Sequence, residues 1–183
     1  MAVLRRDLLA GRRVALAGEA GEALREALVT LGAQIEVLGA LPGDEDLLGE
    51  WARSHGPLDA LVYCASSAFG QGGATGLQTA LEEAWVATRE VATGAMIGVE
   101  GTGKLVLVAP GPQAGPLAEA SRAGLESLVR TVSVEWARYG VTAVLIAPGA
   151  RTSEEEIAGL SCFLCSEAGD YLSGCRLELG AVA

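Results

Sequence analysis

Six short apolar runs recur along this 183-residue chain, and a segment of helical periodicity separates each run from the next. The runs are 13–17 (RVALA), 34–38 (QIEVL), 58–65 (LDALVYCA), 104–109 (KLVLVA), 141–147 (VTAVLIA) and 175–179 (CRLEL). A strand with one wet face alternates apolar and polar side chains, whereas a strand that is apolar throughout is buried on both sides. Between the runs, Leu24, Ala27, Leu28 and Leu31 recur at i, i+3, i+4 and i+7, the stripe of a helix lying on a sheet. Residues 44–55 place Leu47, Leu48 and Trp51 on one side of a second helix; 77–98, 116–138 and 153–167 predict three more. Gly32 closes the first helix, and the Gly-rich stretch 70–76 reads as a loop. Strands in this order, joined by helices, imply one α/β domain over residues 1–183 with a parallel sheet covered on both faces.

Charge and hydropathy narrow the partners. A formal charge of −10, with the basic residues scattered, provides no footprint for a phosphate backbone, so no nucleic-acid partner is expected. Mean hydropathy is +0.35, yet charges and glycines break every apolar run before the roughly 18–20 residues of a membrane span. No membrane partner is expected, and the surplus of apolar surface points to a protein partner. Arg5, Arg6, Arg12 and Arg13 are not followed by an apolar core and a small-residue cleavage site; no export signal is expected, and the cytoplasm is the expected location. Cys162 and Cys165 form a C-x-x-C, but two thiols do not complete a tetrahedral zinc shell and His55 is far off in sequence. These cysteines are read as buried small apolar residues, with no metal site.

The strings 120–158 (ASRAGLESLVRTVSVEWARYGVTAVLIAPGARTSEEEIA), 161–180 (SCFLCSEAGDYLSGCRLELG) and 56–66 (GPLDALVYCAS) together resemble the short-chain dehydrogenase/reductase family. They are similar to its long helix and following strand, its C-terminal helix and last strand, and its central strand. The resemblance implies a Rossmann-like, doubly wound parallel sheet of about six strands. It also implies chemistry that can be checked residue by residue. Family members use a Tyr as general acid/base, a Lys four residues later that lowers its pKa, an upstream Ser on the carbonyl oxygen, and an Asn in a proton relay.

Here the Tyr position is Ala118 and the Lys position is Arg122. Alanine transfers no proton, and a guanidinium is no acid near neutral pH. The Ser position falls near Ala109 or Pro110. The chain contains no asparagine, so the relay is missing, as is the family's Asn-Asn-Ala-Gly, replaced by Tyr63-Cys64-Ala65-Ser66. Tyr139 and Tyr171 match structural positions of the family pattern. The single lysine, Lys104, precedes a strand, on the edge opposite the carboxyl ends where such sheets bind ligands. Glu154, Glu155 and Glu156 read as a solvated first helical turn. No catalytic residue is therefore expected.

The cofactor turn is altered as well. The family's Thr-Gly-x-x-x-Gly-x-Gly is here Ala17-Gly18-Glu19-Ala20-Gly21-Glu22, about three residues short, with Gly18 and Gly21 as vestiges. Glu19 and Glu22 bring carboxylates to a place meant for phosphate, so no cofactor is expected in this chain. Compared with the family, an edge strand-helix unit after residue 38 and the substrate lid after Gly149 are also missing.

What remains is the sheet and the elements through which family members associate. Leu81, Trp85, Leu125, Leu128, Val129, Val132 and Trp136 are the expected interface residues. The expected function is a non-catalytic subunit of a hetero-oligomeric short-chain dehydrogenase. It would stabilise an active sister subunit that carries NAD(P) and acts on a 3-hydroxyacyl/3-oxoacyl thioester such as a hydroxyacyl-CoA. The alternative is a stand-alone binding or regulatory protein.

Overall fold

The computed structural model describes residues 5–39, 45–98 and 102–180. Six strands form one sheet: β1 (Arg13–Gly18), β2 (Gln34–Gly39), β3 (Ala60–Cys64), β4 (Lys104–Val108), β5 (Thr142–Pro148) and β6 (Cys175–Leu179). Their order is β2-β1-β3-β4-β5-β6, and every neighbouring pair is parallel. The chain grows outward from β1 to β2, then returns to place β3 on the other side of β1. The order therefore reverses between β1 and β3, and a crevice opens beyond their carboxyl ends.

Among the described residues six α-helices cover the sheet: α1 (Glu22–Thr30), α2 (Glu45–His55), α3 (Ser66–Phe69), α4 (Gly73–Ala95), α5 (Ala118–Glu135) and α6 (Glu154–Cys165). Alternation along the strands sorts the core into two layers. Ala15, Leu61, Tyr63, Leu105, Leu107 and Leu145 pack with α2, α4 and α5. Val14, Leu16, Val62, Cys64, Val106, Val108 and Ile146 pack with α1 and α6 on the other face. Every residue of β3 and β4 is buried, which is why these central strands read as unbroken apolar runs.

The sequence reading and the structure differ where glycines lie. The expected loop 70–76 is mostly not a loop: α3 precedes it and α4 begins at Gly73. A Cβ on Gly76 would stand 2.1 Å from the Phe69 carbonyl oxygen, so that glycine serves close packing of the two helices. The segment 116–138 divides into α5 and a one-turn 3-10 helix, Ala137–Tyr139, closed by Gly140 at φ +74°. The helix expected from residue 44 begins, within the described residues, at Glu45. Among the described residues only α2 lies between β2 and β3 and β2 is at the sheet edge, and five residues link β5 to α6. No described helix is long and apolar enough to cross a membrane.

Candidate functional site

β1 ends on Gly18, at φ +72°, where a Cβ would lie 2.2 Å from the Cys64 carbonyl oxygen at the end of β3. Only glycine permits this approach of the two strands. The turn continues through a hydrogen bond from the Ala20 amide to the Gly18 carbonyl, 3.0 Å, and Gly21 becomes the N-cap of α1 without a side-chain cap. The first amides of α1 thus face the crevice with the positive end of the helix dipole. Beside Gly21 stands Glu154, the first residue of α6, with Oε2 3.0 Å from where a Cβ on Gly21 would be.

Between these elements lies a cavity of about 190 Å³, lined by Glu19, Gly21, Leu24, Cys64, Ser66, Val108, Glu154 and Ile157. Its floor is apolar. The Cys64 thiol is nearly enclosed, and burial pushes its pKa up to about 12 despite the nearby Arg25. The three glutamates opening α6 divide their roles. Glu156 completes a capping box with Ser153, its Oε2 accepting from the Ser153 amide at 2.8 Å. Glu155 is held below the usual carboxylate range by its own backbone amide and then by Ser153. Glu154 alone of the three lines the cavity.

Around the corner, at the ends of β4 and β5, stands the residue that most departs from expectation. Ala118 opens α5 and is buried, presenting only a methyl group. One turn on, Arg122 is 2 % exposed. Its Nη1 donates to the carbonyls of Pro110 and Pro148, both at 2.9 Å, tying the loop after β4 to the last residue of β5. Its Nη2 donates to Glu178 of β6 at 3.2 Å, and its Nε lies 3.1 Å from Glu119, off the line of a hydrogen bond. A planar fork with five donors can bridge several strand ends at once, which an ammonium cannot. Sequence reasoning saw in Arg122 only a charge with nothing to activate. The signal it missed was a cation in an apolar helix stripe.

The other titratable groups lie elsewhere. Lys104 is buried at the amino end of β4, where its ammonium pairs with Asp170. The Tyr63 hydroxyl donates to Glu83 at 3.4 Å on the α4 side of the sheet, and burial, followed by Glu83, raises its pKa well beyond the usual phenol value. Tyr139 and Tyr171 are exposed; Tyr171 is 93 % so. Cys162 and Cys165 are buried, with thiols pushed up to about 12 by burial. His55 stacks on Trp51 at 4.5 Å between centroids. Among the described residues no three His, Cys, Asp or Glu side chains come together to hold a metal.

The expected interface stripe splits. Leu125, Val129 and Val132 are fully buried against the sheet within a single chain. They are core residues rather than contact residues, because α5 turns that side inward. Leu81, Leu128 and Trp136 are half-buried at its margin, and Trp85 is 40 % exposed, with the Arg89 guanidinium 5.7 Å from its ring centroid. Leu81 reaches across to Gly124, where a Cβ would come within 2.7 Å, so α4 and α5 form one closely packed pair.

A parallel, doubly wound sheet with its crevice at the β1/β3 reversal defines a Rossmann-like α/β protein. More narrowly, the chain has the short-chain dehydrogenase/reductase fold. It is similar to the citronellol catabolism dehydrogenase AtuB of Pseudomonas aeruginosa PAO1, with 21% identity, 98% of each chain covered and a TM-score of 0.77. BdcA from E. coli matches at 19% identity, with 94% of this chain and 100% of that one covered and a TM-score of 0.74. The enoyl-[acyl-carrier-protein] reductase (NADH) from Aquifex aeolicus VF5 matches at 18% identity, with 93% and 96% covered and a TM-score of 0.74. BdcA has also been solved in complex with NADPH. No protein-family model and no curated protein matches the chain.

A dinucleotide in such a crevice lays its pyrophosphate on the amino end of the first helix. Beside that place stands the carboxylate of Glu154, with Glu19 also on the cavity wall. The residues present do not fit a pyrophosphate.

Proposed function

We propose that this chain is a non-catalytic subunit of a hetero-oligomeric oxidoreductase of the short-chain dehydrogenase type. It stabilises an active sister subunit, which holds NAD(P) and carries the acid/base residues. The observation that carries this reading is Arg122. The side chain at the activating lysine's position is consumed in holding Pro110, Pro148 and Glu178, beside an alanine where the proton donor would stand. Strand ends tied in this way support a scaffold and leave no group to exchange a proton with substrate. The substrate we assign to the complex, a 3-hydroxyacyl/3-oxoacyl thioester such as a hydroxyacyl-CoA, follows from the resemblance of the sequence to the acyl reductase branch of the family. Among the neighbours, one is an enoyl-[acyl-carrier-protein] reductase (NADH) and another a citronellol catabolism dehydrogenase. The contact with the sister subunit uses the outer side of the α4–α5 pair, around Trp85, Leu81, Leu128 and Trp136.

Co-expression with short-chain dehydrogenases encoded beside it tests the reading. A sister chain with intact Tyr and Lys is expected to co-purify in a fixed ratio, and the pair to oxidise or reduce the thioester. A stable, active homo-oligomer of this chain alone would refute it. The cavity of about 190 Å³ favours a second reading, a stand-alone binding protein, which predicts saturable ligand binding by the isolated chain and no sister subunit.

A further inference from the structure

We propose that the open side of β2 is a docking edge for an extended segment of a partner polypeptide, one whose side chains alternate apolar and basic.

Among the described residues nothing pairs with β2 on the side away from β1. The Gln34 amide donates to the Arg12 carbonyl at 2.8 Å, and Gln34 and Glu36 stand opposite Arg13 and Ala15 of β1. In a parallel ladder alternate residues bond to the same neighbour, so the amides and carbonyls of Ile35 and Val37 point to the open side. The register with β1 shifts beyond Val37, which confines the open stretch to 34–37. Two donors and two acceptors in a row specify an extended backbone as the occupant.

Side chains specify the rest. Ile35 packs into the layer under α1, and Val37, on the same face, is 46 % exposed. Val29 of α1 is exposed as well, so an apolar side chain on that face of an incoming strand finds apolar neighbours. On the other face Glu36 is the only charge of β2, and Arg13 of β1 holds it at 2.8 Å, on the side away from the open edge. The opposite edge of the sheet differs. There β6 carries Arg176 and Glu178, 2.5 Å apart, and Arg176 also reaches Glu126 at 3.5 Å. Fixed charges of this kind blunt an edge, and β2 carries no such pair.

Charge selects the partner. The helices before and after β2, α1 and α2, carry five carboxylates against two guanidiniums, and the whole chain has a formal charge of −10. A second copy is disfavoured. About a twofold axis, the antiparallel register that exchanges the bonds of Ile35 and Val37 between copies sets one Glu36 directly against the other. A basic side chain at that position complements Glu36 instead.

Amide hydrogen exchange read by NMR on the full chain provides the test, with a short capped peptide alternating valine and lysine as the probe. Saturable slowing of exchange at the Ile35 and Val37 amides, by at least about tenfold, is expected. The same peptide with every backbone nitrogen methylated, and a version with glutamate for lysine, are expected to give none. Val37→Pro removes one outward donor and leaves the β1 ladder intact, so protection of Ile35 is expected to need about tenfold more peptide. Should proline disturb β2, Val37→Lys keeps the backbone groups and is expected to weaken binding by adding a like charge and removing the apolar contact. No slowing at millimolar peptide, equal slowing by the glutamate version, or unchanged binding by both Val37 variants would each overturn the assignment. So would protection of both amides in the chain alone, because a second copy or another part of the chain would then occupy the edge. A sister subunit enters none of these outcomes, so failure here and failure of the scaffold reading are separable.

Discussion

Replacing Arg122 by methionine isolates what its guanidinium contributes. Methionine preserves most of the side chain's length and apolar stem, so α5 keeps its packing while the donors disappear. Two buried carbonyls, those of Pro110 and Pro148, then lose their partner. An unsatisfied buried acceptor costs about 1–2 kcal/mol, while Glu178 keeps Arg176, whose Nη2 is 2.5 Å away. The expected destabilisation is about 3 kcal/mol, or a fall in Tm of about 6–12 °C for a domain of this size. Arg122→Lys retains the charge but reaches one carbonyl at most, and is expected to lose about 1–2 kcal/mol. Urea unfolding followed by far-UV circular dichroism, with m-values compared across the three proteins, measures both. If the methionine variant is within about 0.5 kcal/mol of wild type, or the lysine variant equals it, Arg122 does not tie the strand ends together.

Gly18→Ala is expected to cost at least ~2 kcal/mol in the same assay, since it combines a left-handed residue with a clash against the Cys64 carbonyl; a neutral result would mean that β1 and β3 can separate there. Burial holds the Cys64, Cys162 and Cys165 thiols at about 12, against 9.0 for the unfolded chain. Below the unfolded value both states are protonated and stability is intact. Above it the unfolded state loses protons first, so stability falls from pH 9 towards 12, by roughly 1 kcal/mol per thiol over the first pH unit. Urea midpoints at pH 8 to 10.5 are expected to show this loss, and Cys162→Ala to reduce it. Trp85→Ala is expected to leave the isolated chain within about 0.5 kcal/mol of wild type yet weaken assembly with a sister subunit by about 2 kcal/mol, read by sedimentation; unchanged assembly would remove Trp85 from the contact.

Much of the fold was legible because its signals are local. Continuous apolar runs such as LVLV, with helical stripes between them, require only neighbours in sequence to be read, and the strands lie within a residue or two of where they were expected. Glycines misled the reading at 70–76, because a glycine needed for close helix packing and one needed for a turn look alike in sequence. The interface stripe misled it differently. Leu125, Leu128, Val129, Val132 and Trp136 share one helical periodicity, but how far a helix rolls on its sheet decides where burial stops.

The sequence alone determined the α/β class and placed no proton-transferring side chain at the position that matches the family's Tyr. Ala118 has no ionisable group, and no asparagine exists to build a relay, whatever the chain's conformation. Only the tertiary structure decided what took its place. Arg122 meets carbonyls 12 and 26 residues away, and Glu154 meets Gly21 from the far end of the chain. Both contacts depend on the order β2-β1-β3-β4-β5-β6, which brings the ends of β1, β3, β4 and β5 together at one rim. Hydrogen bonds and like-charge exclusion act over a few ångströms, so they become readable only after the sheet has placed those residues side by side.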